Sequence, residues 1–160
     1  MSGTTPDRGE FTIRPAEETD LPQLIVLYGQ LGSDQSRLTL ANLEAAFQRM
    51  QRYPDLHIYV AETAGRMAGT YTLMIMDAAG HRCAPVAIVE DLVVAEERRG
   101  EGIGRMMMRH AMRRARQTGS YKLMLSSNLA RGEAHGFYER LGFEKHGYSF
   151  VVRLSAGPEL

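Results

Sequence analysis

Two groups of residues have types and spacings that could do chemistry. The first is the run Arg99-Gly100-Glu101-Gly102-Ile103-Gly104, which follows an apolar stretch and opens a helical pattern. Glycines let a backbone approach an anion closely and take positive φ. The N–H groups at a helix start point outward, and the helix dipole adds to their pull on negative charge. The run therefore reads as an anion cradle, with Arg105 beside it in the first helical turn. The second group is Glu90 and Asp91, two carboxylates inside the otherwise apolar run 86–94. A carboxylate there is costly unless it faces a cavity or a partner. Partial burial raises its pKa toward the range of a useful general base. Period-two alternation puts the two on opposite faces unless a bulge intervenes.

Other uses of the glycine run fail on their own requirements. A phosphate-binding Walker loop needs Lys and then Ser or Thr after its last glycine, and here Arg105 and Met106 follow Gly104. A dinucleotide fingerprint opens a parallel βαβ unit near the start of its fold; this run lies past the middle, after hairpin-like strands. The 19 basic residues balance 19 acidic ones, so neither nucleic acid nor an anionic membrane is expected as partner. The lone cysteine, Cys83, cannot form an internal disulfide, and no Cys/His cluster has zinc spacing, so no metal is expected. No apolar run approaches the ~20 residues of a membrane span. Residues 1–10 are polar and read as a loose tail. The expected location is the reducing cytoplasm, and residues 11–160 read as one domain.

These groups need elements to hold them. Residues 11–14 read as a strand, followed by a helix from Asp20 with Pro22 in its first turn. A second helix is capped by Thr39 and closed by Pro54. Strands are expected over 56–61 and 67–76, joined by a turn, and over 86–94. A helix over 102–118 buries Met107, Met108, Ala111, Met112 and Ala115 and carries Arg105, Arg109 and Arg113 along another side. Arg105 suits a phosphate, whereas Arg109 and Arg113 read as a solvated face. A strand over 121–125, a helix over 130–141 and a hairpin within 143–154 complete the chain. The order implies a mixed α+β domain built on a central sheet.

Arg99, Gly102 and Gly104 fill R-x-x-G-x-G, which resembles the acetyl-CoA pyrophosphate loop of the GCN5-related N-acetyltransferase (GNAT) superfamily. Glu90-Asp91-Leu92-Val93-Val94 resembles that family's central strand. Asn128, Ala134-His135, Phe137-Tyr138 and Gly142-Phe143 resemble its second signature, in family order and spacing. The resemblance implies a mostly antiparallel, splayed sheet flanked by about four helices. It implies that the pantetheine of acetyl-CoA pairs with the backbone of Leu92, Val93 and Val94. The pyrophosphate would rest on Arg99, Gly100, Glu101, Gly102, Ile103, Gly104 and Arg105. Tyr138, whose phenol stays protonated at neutral pH, would then be the acid for the departing thiolate, with the amide of Val94 or Leu92 polarising the carbonyl. Asn128 would hold the pantetheine arm, and Arg131 and His135 would reach the nucleotide. Glu90 is the leading base, directly or through water, with Asp91 as the alternative.

The expected reaction is acetyl transfer from acetyl-CoA to a primary amine of a small molecule. Acetylation of a protein amine, or a non-catalytic acyl-CoA sensor, are the alternatives. The resemblance further implies that the acceptor is lined by residues 28–42, the loop near 78–84 and residues 146–151. These carry Tyr28, Gln30, Ser33, Asp34, Gln35, Arg37, His81, His146, Tyr148 and Phe150. The segment 125–150 looks most like aminoalkylphosphonate acetyltransferases, and the Glu-Asp-Leu-Val-Val strand also resembles hexosamine-phosphate acetyltransferases. The same resemblance allows a homodimer.

Overall fold

The computed structural model describes residues 11–31 and 38–152. The expected tail over 1–10 and the acceptor residues Ser33, Asp34, Gln35 and Arg37 lie outside them. The chain divides into two compact units, 1–125 and 126–160.

The first unit holds β1 (Thr12–Pro15), α1 (Leu21–Tyr28), α2 (Leu40–Met50), β2 (Leu56–Thr63), β3 (Arg66–Met76), β4 (Val86–Val94), α3 (Ile103–Gln117) and β5 (Lys122–Met124). Local chemistry explains most boundaries. Pro22 opens α1, where its missing N–H costs nothing. The Thr39 hydroxyl caps α2 by accepting the Asn42 N–H at 3.2 Å. The β2–β3 hairpin turns on Ala64 and Gly65, whose φ values of 49° and 72° match the twist of the flanking strands.

The five strands form one sheet in chain order. The first four are antiparallel neighbours; β5 runs parallel to β4. The expected mixed, mostly antiparallel sheet is present. Alternation sorts its side chains. Ile58 and Val60 join Leu21, Leu24, Tyr28, Leu43 and Phe47 in a core under α1 and α2. Tyr59 and Tyr71 point to the other face, where both rings meet His110 of α3. Met107, Met108 and Ala111 are fully buried on the inner side of α3. At the sheet edge, Arg14 clamps Asp20 at 2.6 Å and Glu62 at 2.8 Å, joining β1, the turn before α1 and β2.

The β4–β5 pairing covers only Val86↔Lys122, Ala87↔Leu123 and Ile88↔Met124. From Val89 onward the outer edge of β4 has no strand beside it among the described residues. This is the splay expected from the resemblance.

The second unit contains α4 (Gly132–Arg140), ended by Gly142 at φ 90°. The expected hairpin is absent among the described residues: no strand occurs within 143–152, and 153–154 lie outside them. Tyr148, Phe150, Val151 and Val152 are exposed. A two-stranded ribbon alone is marginal in water, and this unit offers it no third strand among its described residues. No helix among the described residues is long and apolar enough to cross a membrane.

Candidate active site

The register of β3 against β4 changes where the chemistry is concentrated. Thr70 stands opposite Val93 and Thr72 opposite Glu90, so two steps along β3 match three along β4. The extra residue is a bulge at Asp91–Leu92, facing Tyr71. Asp91 takes φ 52°, a left-handed conformation that Asp tolerates better than most side chains. The bulge overrides simple alternation. Glu90, paired with Thr72, lies on the α1 face, and the Asp91 charge reaches Tyr28 of α1, so the two carboxylates share that face instead of lying on opposite ones.

Both carboxylates are reached by solvent, yet the protein around them strips enough water to raise both pKa values. Desolvation is the larger cause for Glu90, and the like charge of Asp91 adds to it. Desolvation alone raises Asp91. Tyr28, at the end of α1, faces the same cluster. Its burial, and then the Asp91 charge, push its hydroxyl up to about 12, against hydrogen bonds with Thr70 and Thr72. Tyr28 was expected near the acceptor; Thr70 and Thr72 were missed. The available signal was the polar alternation Thr70-Tyr71-Thr72 inside an apolar strand, opposite a strand carrying carboxylates.

The cradle follows β4 after one short turn, Glu96–Arg98. Gly100 and Gly102 take φ 84° and 85°, and a Cβ built on either meets nothing within 4 Å. The glycines are thus required by backbone conformation, and they leave open space before α3. The α3 helix starts at Ile103, and first-turn amides of a helix have no partner within it. Arg98 closes the outside of the loop through a paired salt bridge to Glu101 at 2.8 Å. Glu101 is thereby engaged with Arg98, whereas Arg99 is exposed. Arg105, Arg109 and Arg113 line one surface recess of about 290 Å³ with Gly102 and Met106. None of the three forms an ion pair among the described residues.

On the open half of β4, Val93 is buried and Leu92 and Val94 are half-buried. Their backbone lies on the edge that β5 leaves uncovered. The uncovered edge and the glycine loop are therefore contiguous, from Leu92 to Arg105.

The second unit carries the other signature. The Asn128 side-chain oxygen accepts the Ala130 N–H at 2.9 Å, so Asn128 shapes the turn before α4. His135 Nε2 donates to the Asn128 carbonyl at 2.9 Å, tying the helix to that turn. Arg131 is exposed at the start of α4. The Tyr138 ring packs edge-on against Phe137 at 5.2 Å and Phe143 at 5.7 Å. Cys83 is exposed and unbridged, in a turn where His81, Arg82 and Cys83 all have positive φ. Among the described residues no group of three or more His, Cys, Asp or Glu could hold a metal ion.

The family model described as acetyltransferase (GNAT) family matches residues 28–143. The chain belongs to that family. It is an acetyltransferase. Among GNAT relatives, glucosamine 6-phosphate N-acetyltransferase 1 of Oryza sativa subsp. japonica is 33% identical over 141 residues, covering 86% of this chain and 83% of the relative. The aminoalkylphosphonate N-acetyltransferase of Salmonella typhimurium is 32% identical over 101 residues, 63% of this chain and 65% of the relative. Among solved GNAT structures, glucosamine-6-phosphate N-acetyltransferase from Arabidopsis thaliana superposes with a TM-score of 0.81 at 27% identity, covering 91% of this chain and 99% of that one.

Proposed function

We propose that this GNAT enzyme transfers the acetyl group of acetyl-CoA to the primary amine of a small phosphorylated or phosphonylated molecule, by direct attack with both substrates bound. The observation that carries the reading is the divided pairing of β4, which ends its contact with β5 at Ile88 and turns two carboxylates onto one face at Asp91. The acceptor class is supported by the relatives: glucosamine 6-phosphate and aminoalkylphosphonates are small amines that carry an anionic phosphorus group.

The residues then divide the work. The edge of Leu92 to Val94 offers backbone groups to the pantetheine amides, as an added strand would. Amides of Gly102 to Arg105 and the dipole of α3 hold the pyrophosphate, with Arg105 alongside. A backbone amide of Val94 or Leu92 polarises the thioester carbonyl. Glu90, with its raised pKa, accepts a proton from the attacking ammonium or amine, directly or through water. As the new C–N bond forms, the C–S bond breaks and the sulfur takes a proton. Tyr138 supplies that proton and regains one from solvent; this role rests on the family signature it completes. Asn128, Arg131 and His135 are assigned to the cosubstrate on the same signature, although the contacts of Asn128 and His135 described above are local.

The test is thiol release from acetyl-CoA across aminoalkylphosphonates, amino sugars with and without phosphate, polyamines, amino acids and a lysine peptide. The reading expects turnover with the phosphorus-bearing amines and its loss in Tyr138→Phe. Turnover only on the peptide would replace the acceptor class. Failure to bind acetyl-CoA would overturn the whole reading.

A further inference from the structure

One pair of polar groups lies on the far side of the sheet from the carboxylates. Tyr71 is fully buried, and its hydroxyl sits 2.6 Å from His110 Nδ1. Its ring stacks on Tyr59 at 5.3 Å, and Tyr59 meets the His110 ring at 4.9 Å. If only volume mattered, phenylalanine would fill the same space without a hydroxyl to satisfy.

The location gives the hydroxyl a purpose. Tyr71 is the β3 residue that faces the Asp91–Leu92 bulge, between Thr70 opposite Val93 and Thr72 opposite Glu90. His110 lies on α3, whose first turn forms the cradle. One turn nearer the cradle, Met107 packs on Gly69, where a Cβ would come within 2.8 Å of the methionine methyl and 3.0 Å of the Val93 carbonyl. So α3 docks on β3 at two successive points, Gly69 and Tyr71, beside the bulge. The apolar contact can slide, but a short hydrogen bond fixes both height and direction.

We propose that Tyr71 and His110 are a positioning pair: their hydrogen bond ties the cosubstrate helix to the strand residue behind the bulge, and so holds Glu90 at a set distance from the cradle. This rests on the proposed function above. The groups facing His110 are Tyr59 and Tyr71 from the sheet and Arg113 and Arg114 from its own helix. Burial, and then these arginines, hold the His110 pKa below its ordinary value and so disfavour the imidazolium.

The experiment uses the full chain with acetyl-CoA and glucosamine 6-phosphate or an aminoalkylphosphonate. Wild-type turnover is required first, and its absence counts against the proposed function rather than against the pair. Given turnover, Tyr71→Phe is expected to lower kcat by about tenfold to a hundredfold, because a small misplacement of reacting groups is that costly. The KM for acetyl-CoA should stay within about twofold, since the cradle is intact. The acidic limb of the pH profile, set by Glu90 among Asp91 and Tyr28, should move with it. His110→Phe should give the same change, the double variant no further loss, and His110→Gln a partial rescue. A folded Tyr71→Phe with wild-type kcat and pH profile, and only a lower melting temperature, would overturn the proposal. If the variants do not fold, the nitrogen resonances of His110 in the wild type decide instead. They should shift when acetyl-CoA binds, and unchanged resonances at saturation would overturn it.

Discussion

The two halves of β4 share one strand and do different things. Val86 to Ile88 is paired on both sides, by β3 and by β5, and Val86, Ala87 and Val89 are buried. Among the described residues Glu90 to Val94 is paired on one side only; it is bulged, and its carboxylates are exposed. The first half is scaffold. The second half has the same neighbour on one edge but trades the other edge for an open backbone. An unpaired edge is a liability in a sheet unless something covers it. Here it adjoins the glycine loop before α3, and in the proposed function the two together bind the cosubstrate, which makes the edge a binding surface instead of a defect.

That contrast can be broken at either half. The largest effect is expected at Glu90→Gln, which should cut kcat/KM for the amine by about 10² to 10⁴ while leaving thermal stability near wild type. The matching change in the scaffold half is Val89→Ala, which should cost about 2 kcal/mol in urea unfolding and leave kcat per folded molecule unchanged. Gly102→Ala tests the cradle. With Ala there the free loop relaxes away from φ 85°, and restoring that conformation on binding costs about 1 kcal/mol, read as an acetyl-CoA KM raised about fivefold with little change in kcat. The smallest and most specific change is Asp91→Asn. Asn tolerates the same left-handed backbone, so the bulge stays. Removing the like charge lowers the Glu90 pKa, so the acidic limb of kcat/KM should move to lower pH. A shift to higher pH would mean that Asp91 is the proton acceptor's partner in some other sense than repulsion.

The cradle and the bulge were not equally legible. Gly100 and Gly102 could be read because φ > 0 and open space select for one residue type, and the strand before them is continuous and apolar. The order of elements through α3 and β5 was legible for a similar reason: capping, proline and periodicity act locally. The shared face of Glu90 and Asp91 was not, because a bulge is a property of two strands and one strand's sequence does not specify it. Tyr71 and His110 are 39 residues apart, so no spacing rule could join them. The C-terminal hairpin failed for the opposite reason. Alternating residues such as Tyr148 and Phe150 signal strand propensity, but pairing needs a neighbour that propensity cannot supply.

The most direct test of the divided strand is amide hydrogen exchange across β4, with and without acetyl-CoA. The account predicts that acetyl-CoA slows exchange at residues 92–94 and 99–105 and leaves residues 86–89, already paired on both sides or buried, unchanged. Protection confined to other parts of the chain, or equal along all of β4, would contradict it.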